Sequence, residues 1–136
     1  MSTYEQLLKK NNFKKKAHNR TPALDKNPQK KGTVKRARIV TPRKPNSARR
    51  PVAKVILSSE KRLTAHIPGV GHNIRSHSSV LVRGGGSRDL PGVRYSCVRG
   101  VYDFAPLYDK RRRRSIYGAK RKIEGFRKVR RKFRIK

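Results

Sequence analysis

The middle of the chain alternates between apolar and polar positions. Residues 33–40 are rich in β-branched side chains, and residues 51–57 carry Val52, Val55 and Ile56. Shorter apolar runs follow at 63–67, 79–82 and 93–98. Between the runs lie stretches rich in Gly, Pro, Asn and Ser, at 41–50, 68–76 and 84–92, residue types that favour turns. Five short strands with such spacing predict an all-β fold, a small five-stranded barrel, and leave the strand order open. The flanks follow another period. Tyr4, Leu7 and Leu8 share a face over residues 3–10, which predicts a short helix capped by Ser2 or Thr3 with Glu5 near its positive end. Lys14, Lys15, Lys16, Pro22 and Pro28 then predict extended chain. At the other terminus Ile123, Phe126, Val129 and Phe133 step by three, three and four, which predicts a helix over 120–133. Three units result: a long N-terminal extension over 1–31, a barrel over 32–104 and a C-terminal tail over 105–136.

Charge changes this picture from a small domain to a binding module. Lys and Arg number 39 against 7 Asp and Glu, a net charge of +32. Such a chain repels itself and implies a strongly anionic partner. Residues 1–31 carry +7, residues 32–104 carry +12 and residues 105–136 carry +13, so the short tail is the most densely charged unit. Hydrophobic residues reach only 33%, and the flanks bury too little to offset their ordering entropy, so a partner must order them. No apolar run approaches the ~18–20 residues of a membrane span, which argues against a membrane partner. The single cysteine, Cys97, excludes an internal disulfide and a Cys-rich zinc site. The opening residues have no apolar signal core, and Glu5 with no Arg before Arg20 makes a poor transit peptide. Nucleic acid or an anionic surface is the partner that remains, and the composition favours nucleic acid.

Few residues suggest chemistry of their own. His66, His72 and His77 have no Cys, Asp or Glu between them, and no metal is expected there. Gly69-Val70-Gly71 and Gly84-Gly85-Gly86 match neither a P-loop nor a dinucleotide fingerprint, so no cofactor is expected. The triple glycine is expected to supply positive φ and to let backbone approach a ligand closely. Asp89 lies in a turn-forming string without a second acid, which suits a salt bridge or a turn hydrogen bond rather than catalysis, and no enzyme is expected. The loop at 41–50 holds Pro42, Arg43, Lys44, Pro45, Asn46, Ser47, Arg49 and Arg50. Stiff backbone with short polar groups suits the wide RNA minor groove, where 2′-hydroxyls and base edges are exposed; a solvated basic loop is the competing reading. A free single-stranded RNA-binding barrel is the alternative function. It would stack bases on strand aromatics, and residues 32–98 hold one aromatic, Tyr95.

Pro22-Ala23-Leu24, Pro28-Gln29-Lys30, Thr41-Pro42-Arg43-Lys44-Pro45-Asn46-Ser47-Ala48, Gly71-His72-Asn73, His77-Ser78, Arg83-Gly84-Gly85, Asp89-Leu90-Pro91-Gly92-Val93-Arg94-Tyr95, Val98-Arg99-Gly100 and Tyr117-Gly118 stand in a fixed order. In that order the chain resembles the small-subunit ribosomal protein twelve family from about Thr3 to Arg121.

The resemblance implies an OB-type barrel at the decoding centre of the small ribosomal subunit, with the extension threading through rRNA. It implies a structural constituent that supports accurate codon–anticodon recognition. Arg43, Lys44, Pro45, Asn46 and Ser47 would form the loop beside the codon–anticodon minor groove. Arg83, Arg88, Asp89, Pro91 and Gly92 would form a second decoding-centre loop, with Asp89 a candidate for methylthiolation. His77 would lie near tRNA or an elongation factor, and Arg111, Arg112, Arg113 and Arg114 would meet phosphates. The implied partners are small-subunit rRNA, tRNA and mRNA at the A site, elongation factors and neighbouring ribosomal proteins, without homo-oligomerisation. The chain departs from bacterial members at Arg43 and Arg88, where they usually have Lys, at Val70, where they have Glu, and at Ile116, where they have a basic residue. Residues 65–69 look more like mitochondrial members. These features favour the mitochondrial matrix, with a bacterial cytoplasm or plastid as the alternative.

Overall fold

The computed structural model describes residues 3–9 and 18–121. The expected extended stretch at 14–16 and nearly all of the expected tail helix at 120–133 lie outside the described residues. The strands are β1 (Gln29–Val40), β2 (Arg50–Leu57), β3 (Arg62–His66), β4 (Ser79–Gly84) and β5 (Tyr95–Val98). They close into a barrel in the order β1-β2-β3-β5-β4, with β3 and β5 the parallel pair. The five expected runs are the five strands. β1 begins at Gln29, before the expected start at residue 33, because its first residues pair with β4 while its later ones pair with β2. A Lys-rich start hid that extension, since the outward side chains of an early strand face water. The register between β1 and β2 slips between Val34 and Arg36, the signature of a bulge that bends a long strand around a small barrel. β5 begins at Tyr95 rather than residue 93, because Val93 packs with the preceding loop.

The interior is filled by alternate strand positions: Val34 from β1, Ala53, Val55 and Leu57 from β2, Ala65 from β3, Val80 and Val82 from β4, and Tyr95 and Cys97 from β5. Leu24, Ile67, Ile74 and Phe104 close its ends. Each large apolar side chain fully buried there contributes roughly 1.5–3 kcal/mol. Burial also pushes the Cys97 thiol up to about 12, so it stays protonated and inert at neutral pH.

Both flanks are tied to the barrel where they meet it. A 3₁₀ turn, Pro22–Leu24, inserts Leu24 into the core, and the Ala23 N–H donates to the Tyr95 hydroxyl at 3.0 Å. The Asp25 carboxylate accepts from Lys30 Nζ at 2.6 Å and from Lys61 Nζ, and these two ammonium groups, Lys30 first, hold its carboxyl below the usual range. The short helix α1 (Tyr4–Lys9) carries a reciprocal cap: the Gln6 N–H donates to Thr3 Oγ1 and the Thr3 N–H to Gln6 Oε1. Tyr4 and Leu8 are exposed, as an apolar face awaiting a partner would be.

Candidate nucleic-acid interface

The loop between β1 and β2 leaves the barrel with Pro42 buried and residues 43–49 exposed. Its backbone is fixed at both shoulders. The Arg43 N–H donates to the Asp89 carbonyl at 2.7 Å, and the Asn46 N–H donates to the Arg43 carbonyl at 3.1 Å, closing a turn around the cis Lys44–Pro45 bond. Lys44, Pro45, Asn46 and Ser47 therefore project into solvent from an anchored base.

The anchor is the loop between β4 and β5. Ala53 and Val55 point into the barrel, so Val52 points outward, yet it is fully buried. Leu90 and Val93 cover it, and Val40 packs beside them. This small outer cluster pins the second loop onto β2, next to the base of the first. Asp89 then locks the two electrically. Its carboxylate accepts from Ser87 Oγ and, at 3.1 Å, from Arg50 Nε at the start of β2. The Ser87 hydroxyl foremost, then Arg50, lowers its pKa, so the side chain is ionised at neutral pH. Both readings of Asp89 from the sequence, salt bridge and turn hydrogen bond, are present together. His66 lies opposite Val52 in the register and feels Asp89, Arg50 and Arg83. Burial holds its pKa below the usual value, the Asp89 charge partly opposing, so the imidazole is neutral.

Arg43, Lys44, Arg49, Arg83 and Arg88 are all exposed around this pair of loops, and its one carboxylate, Asp89, is already engaged by Arg50. Such a surface attracts polyanions, and its rigid tip can offer hydrogen bonds in a fixed direction. Pro91 and Gly92 form the exposed turn that returns the second loop to the barrel. Within the triple glycine, Gly85 has the expected positive φ, at 89°. A Cβ on Gly86 would stand 1.9 Å from the Val93 carbonyl oxygen, so the close approach is to the loop's own backbone.

The other expected site residues lie elsewhere. His77 is exposed, in the left-handed region with φ 67°, and its N–H donates to Val34. Val34 is six residues along β1 from Val40, a separation of about 20 Å at strand rise. Arg111, Arg112 and Arg113 are exposed, while Arg114 is half-buried and opens a 3₁₀ turn, Arg114–Tyr117; the segment folds back, since the Leu107 N–H donates to the Tyr117 carbonyl at 3.0 Å. Tyr95 is 7% exposed, with its hydroxyl occupied by Ala23, so the one aromatic of the β region presents no face for base stacking.

Arg99 was legible only as part of a motif. Its side chain is buried, with Nε donating to the Pro68 carbonyl at 2.5 Å, Nη1 to Ala105 at 3.1 Å and Nη2 to Gly71, and with the guanidinium 4.3 Å from the Phe104 ring centroid. One planar fork thus joins the loop after β3 to the segment after β5. Gly118 docks onto it: a Cβ there would meet the Arg99 carbonyl oxygen at 2.7 Å. The glycine-rich 69–71 stretch, whose carbonyls need a donor, was the only hint in the sequence.

The family model described as Ribosomal protein S12/S23 matches residues 17–124 of the chain. A curated protein of Paramecium tetraurelia, "Small ribosomal subunit protein uS12m", is 61% identical over 130 residues, covering 93% of this chain and 94% of that protein.

Proposed function

The chain belongs to the ribosomal protein S12/S23 family, and from that premise we propose that it is a structural constituent of the mitochondrial small ribosomal subunit whose paired loops serve the decoding centre. Its work is architectural rather than enzymatic. It sits with rRNA and neighbouring ribosomal proteins. The similarity to the mitochondrial protein of Paramecium carries the compartment.

The observation that supports the decoding role is the single bond from the Arg43 N–H to the Asp89 carbonyl, which makes two loops one surface. On that surface Asn46 and Ser47 offer short hydrogen-bonding groups to the codon–anticodon minor groove, directly or through water. Pro45 holds their backbone and Lys44 holds phosphate. The partners at this surface are mRNA and tRNA in the A site, and His77 meets tRNA or an elongation factor. Asp89, fixed by Ser87 and Arg50, is the candidate for methylthiolation at its β-carbon. Arg43 and Arg88 replace a point charge with a planar fork. The resemblance implies that streptomycin, which favours the error-prone closed form of the decoding centre, would lie close to Arg43 and Arg88, and we expect the change to weaken the drug, because a ligand shifts two states only by its differential affinity for them.

Two measurements test this reading at its two levels. Tagged protein should co-sediment with the mitochondrial small subunit; recovery as free protein would defeat the ribosomal assignment. Ribosomes carrying Ser47→Ala should then misread near-cognate codons at an altered rate.

A further inference from the structure

The register places a second cationic surface on the barrel wall, starting beside the base of the paired loops and running away from their tips. In β1 and β2, Ala37 faces Ala53 and Val34 faces Val55, and Val34, Ala53 and Val55 belong to the core. The alternate positions therefore point outward: Arg36 stands directly opposite Lys54, and Arg38 opposite Val52. In β3, Thr64 pairs with Lys54 and Arg62 with Ile56, which puts Arg62 on the same outer face. Arg36, Arg38, Lys54 and Arg62 are all exposed. The cover supplied by Leu90 and Val93 reaches Val52 and leaves these four bare.

Two features separate this face from an ordinary solvated one. Like charges directly opposite across two strands destabilise a sheet, and Arg36 with Lys54 is such a pair. No acid of these strands relieves it: β1, β2 and β3 contain no Asp or Glu, while Asp25 is engaged by Lys30 and Lys61 and Asp89 by Arg50. The free barrel thus carries a repulsion that salt screens only in part and that a bound polyanion relieves. The face also specifies the polyanion. It holds no aromatic for base stacking, and none of the exposed large apolar residues lies at its outward positions to anchor a protein. Neighbouring strands set the cations about 5 Å apart, and alternate residues along a strand about 7 Å apart, a row suited to successive phosphates.

We propose that Arg36, Arg38, Lys54 and Arg62 form a second RNA site that takes consecutive backbone phosphates of the rRNA, independently of the paired loops. The proposal rests on the rRNA-binding reading above. The test uses the full chain and in vitro transcribed small-subunit rRNA, with polyuridylate as competitor, and compares three variants with the unaltered protein. In Arg36→Gln/Lys54→Gln, the slope of log affinity against log salt should become shallower by about 1.4–1.8, the loss of two phosphate contacts. The free protein should at the same time melt about 2 °C higher, because the like-charge pair is gone. Lys54→Glu should weaken rRNA binding more than tenfold while also raising the melting temperature, since Arg36 gains an opposite charge. Arg75→Glu, which changes an exposed arginine in the loop after β3, outside the barrel strands and both flanks, should weaken binding about threefold or less. A salt slope unchanged in the double variant, or equal losses for Lys54→Glu and Arg75→Glu, would overturn the second site while leaving rRNA binding intact. Failure of the unaltered protein to bind the rRNA above polyuridylate would overturn the rRNA reading and this site with it.

Discussion

Arg43 and Asp89, 46 residues apart in sequence, are joined by one backbone hydrogen bond of 2.7 Å. The loop that carries the rigid Lys44–Ser47 tip is thereby held by the loop that carries the engaged carboxylate. A change in either loop is transmitted to the other, and the consequences are measurable loop by loop.

Gly86→Ala should separate them. Its Cβ would overlap the Val93 carbonyl oxygen, which is backbone and cannot swing aside. The loop must shift and lose its cover over Val52. We expect the Arg43 amide to lose protection in hydrogen exchange, while amides in the β1–β2 ladder keep theirs.

Arg99 should matter to stability out of proportion to its charge. Replacing it by Met strands the carbonyls of Pro68, Gly71 and Ala105, and hydrogen bonds to a charged group are worth about 1.5–3 kcal/mol each. Arg99→Met should therefore lower unfolding free energy by about 3 kcal/mol or more. Arg99→Lys should recover only part of it, because an ammonium cannot span three divergent acceptors. Urea denaturation of the two variants checks the order.

The N-terminal attachment rests on lighter contacts. Tyr95→Phe removes the acceptor of the Ala23 N–H and should cost about 1 kcal/mol. Limited trypsin treatment of the free protein should leave a core that retains Leu24 and Phe104, since both side chains are buried. A core that begins after Leu24 would show that the 3₁₀ turn is not part of the free barrel.

Stability should fall with pH in two separate windows. His66 has a folded pKa below its ordinary 6.5, so the unfolded chain binds its proton first, and stability declines as pH drops below about 6.5 until the folded group also titrates. Asp89 and Asp25 have folded pKa values below 3.8. Their contribution is complete above that value and is lost as pH falls through the folded values. Thermal melts from pH 8 to pH 3 should show both declines, with His66→Gln removing the first and Asp89→Asn reducing the second.

The strands were legible because β-branched residues such as Val34, Val55, Val80 and Val82 gather in short runs bounded by turn-rich stretches, which mark strands. The barrel's closure and the β3–β5 pairing were not, since no local signal says which strand edges meet. Asp89 was readable as a turn residue with a bond to make, but its partner Arg50 lies 39 residues away. Val52 looked like any core valine; that it faces outward under Leu90 follows only from register. Arg99 was hidden for the opposite reason, because an arginine among 39 cations reads as surface until its three carbonyl acceptors are seen.

The paired-loop surface is tested most directly by the near-cognate misreading rate of mitochondrial ribosomes carrying Pro45→Leu. Pro45 lies at the exposed tip, outside both the Arg43–Asp89 bond and the buried Pro42 that anchor the loop. The proposed role predicts a changed misreading rate with subunit assembly unaltered. An error rate equal to that of unaltered ribosomes, with the variant fully incorporated, would contradict it.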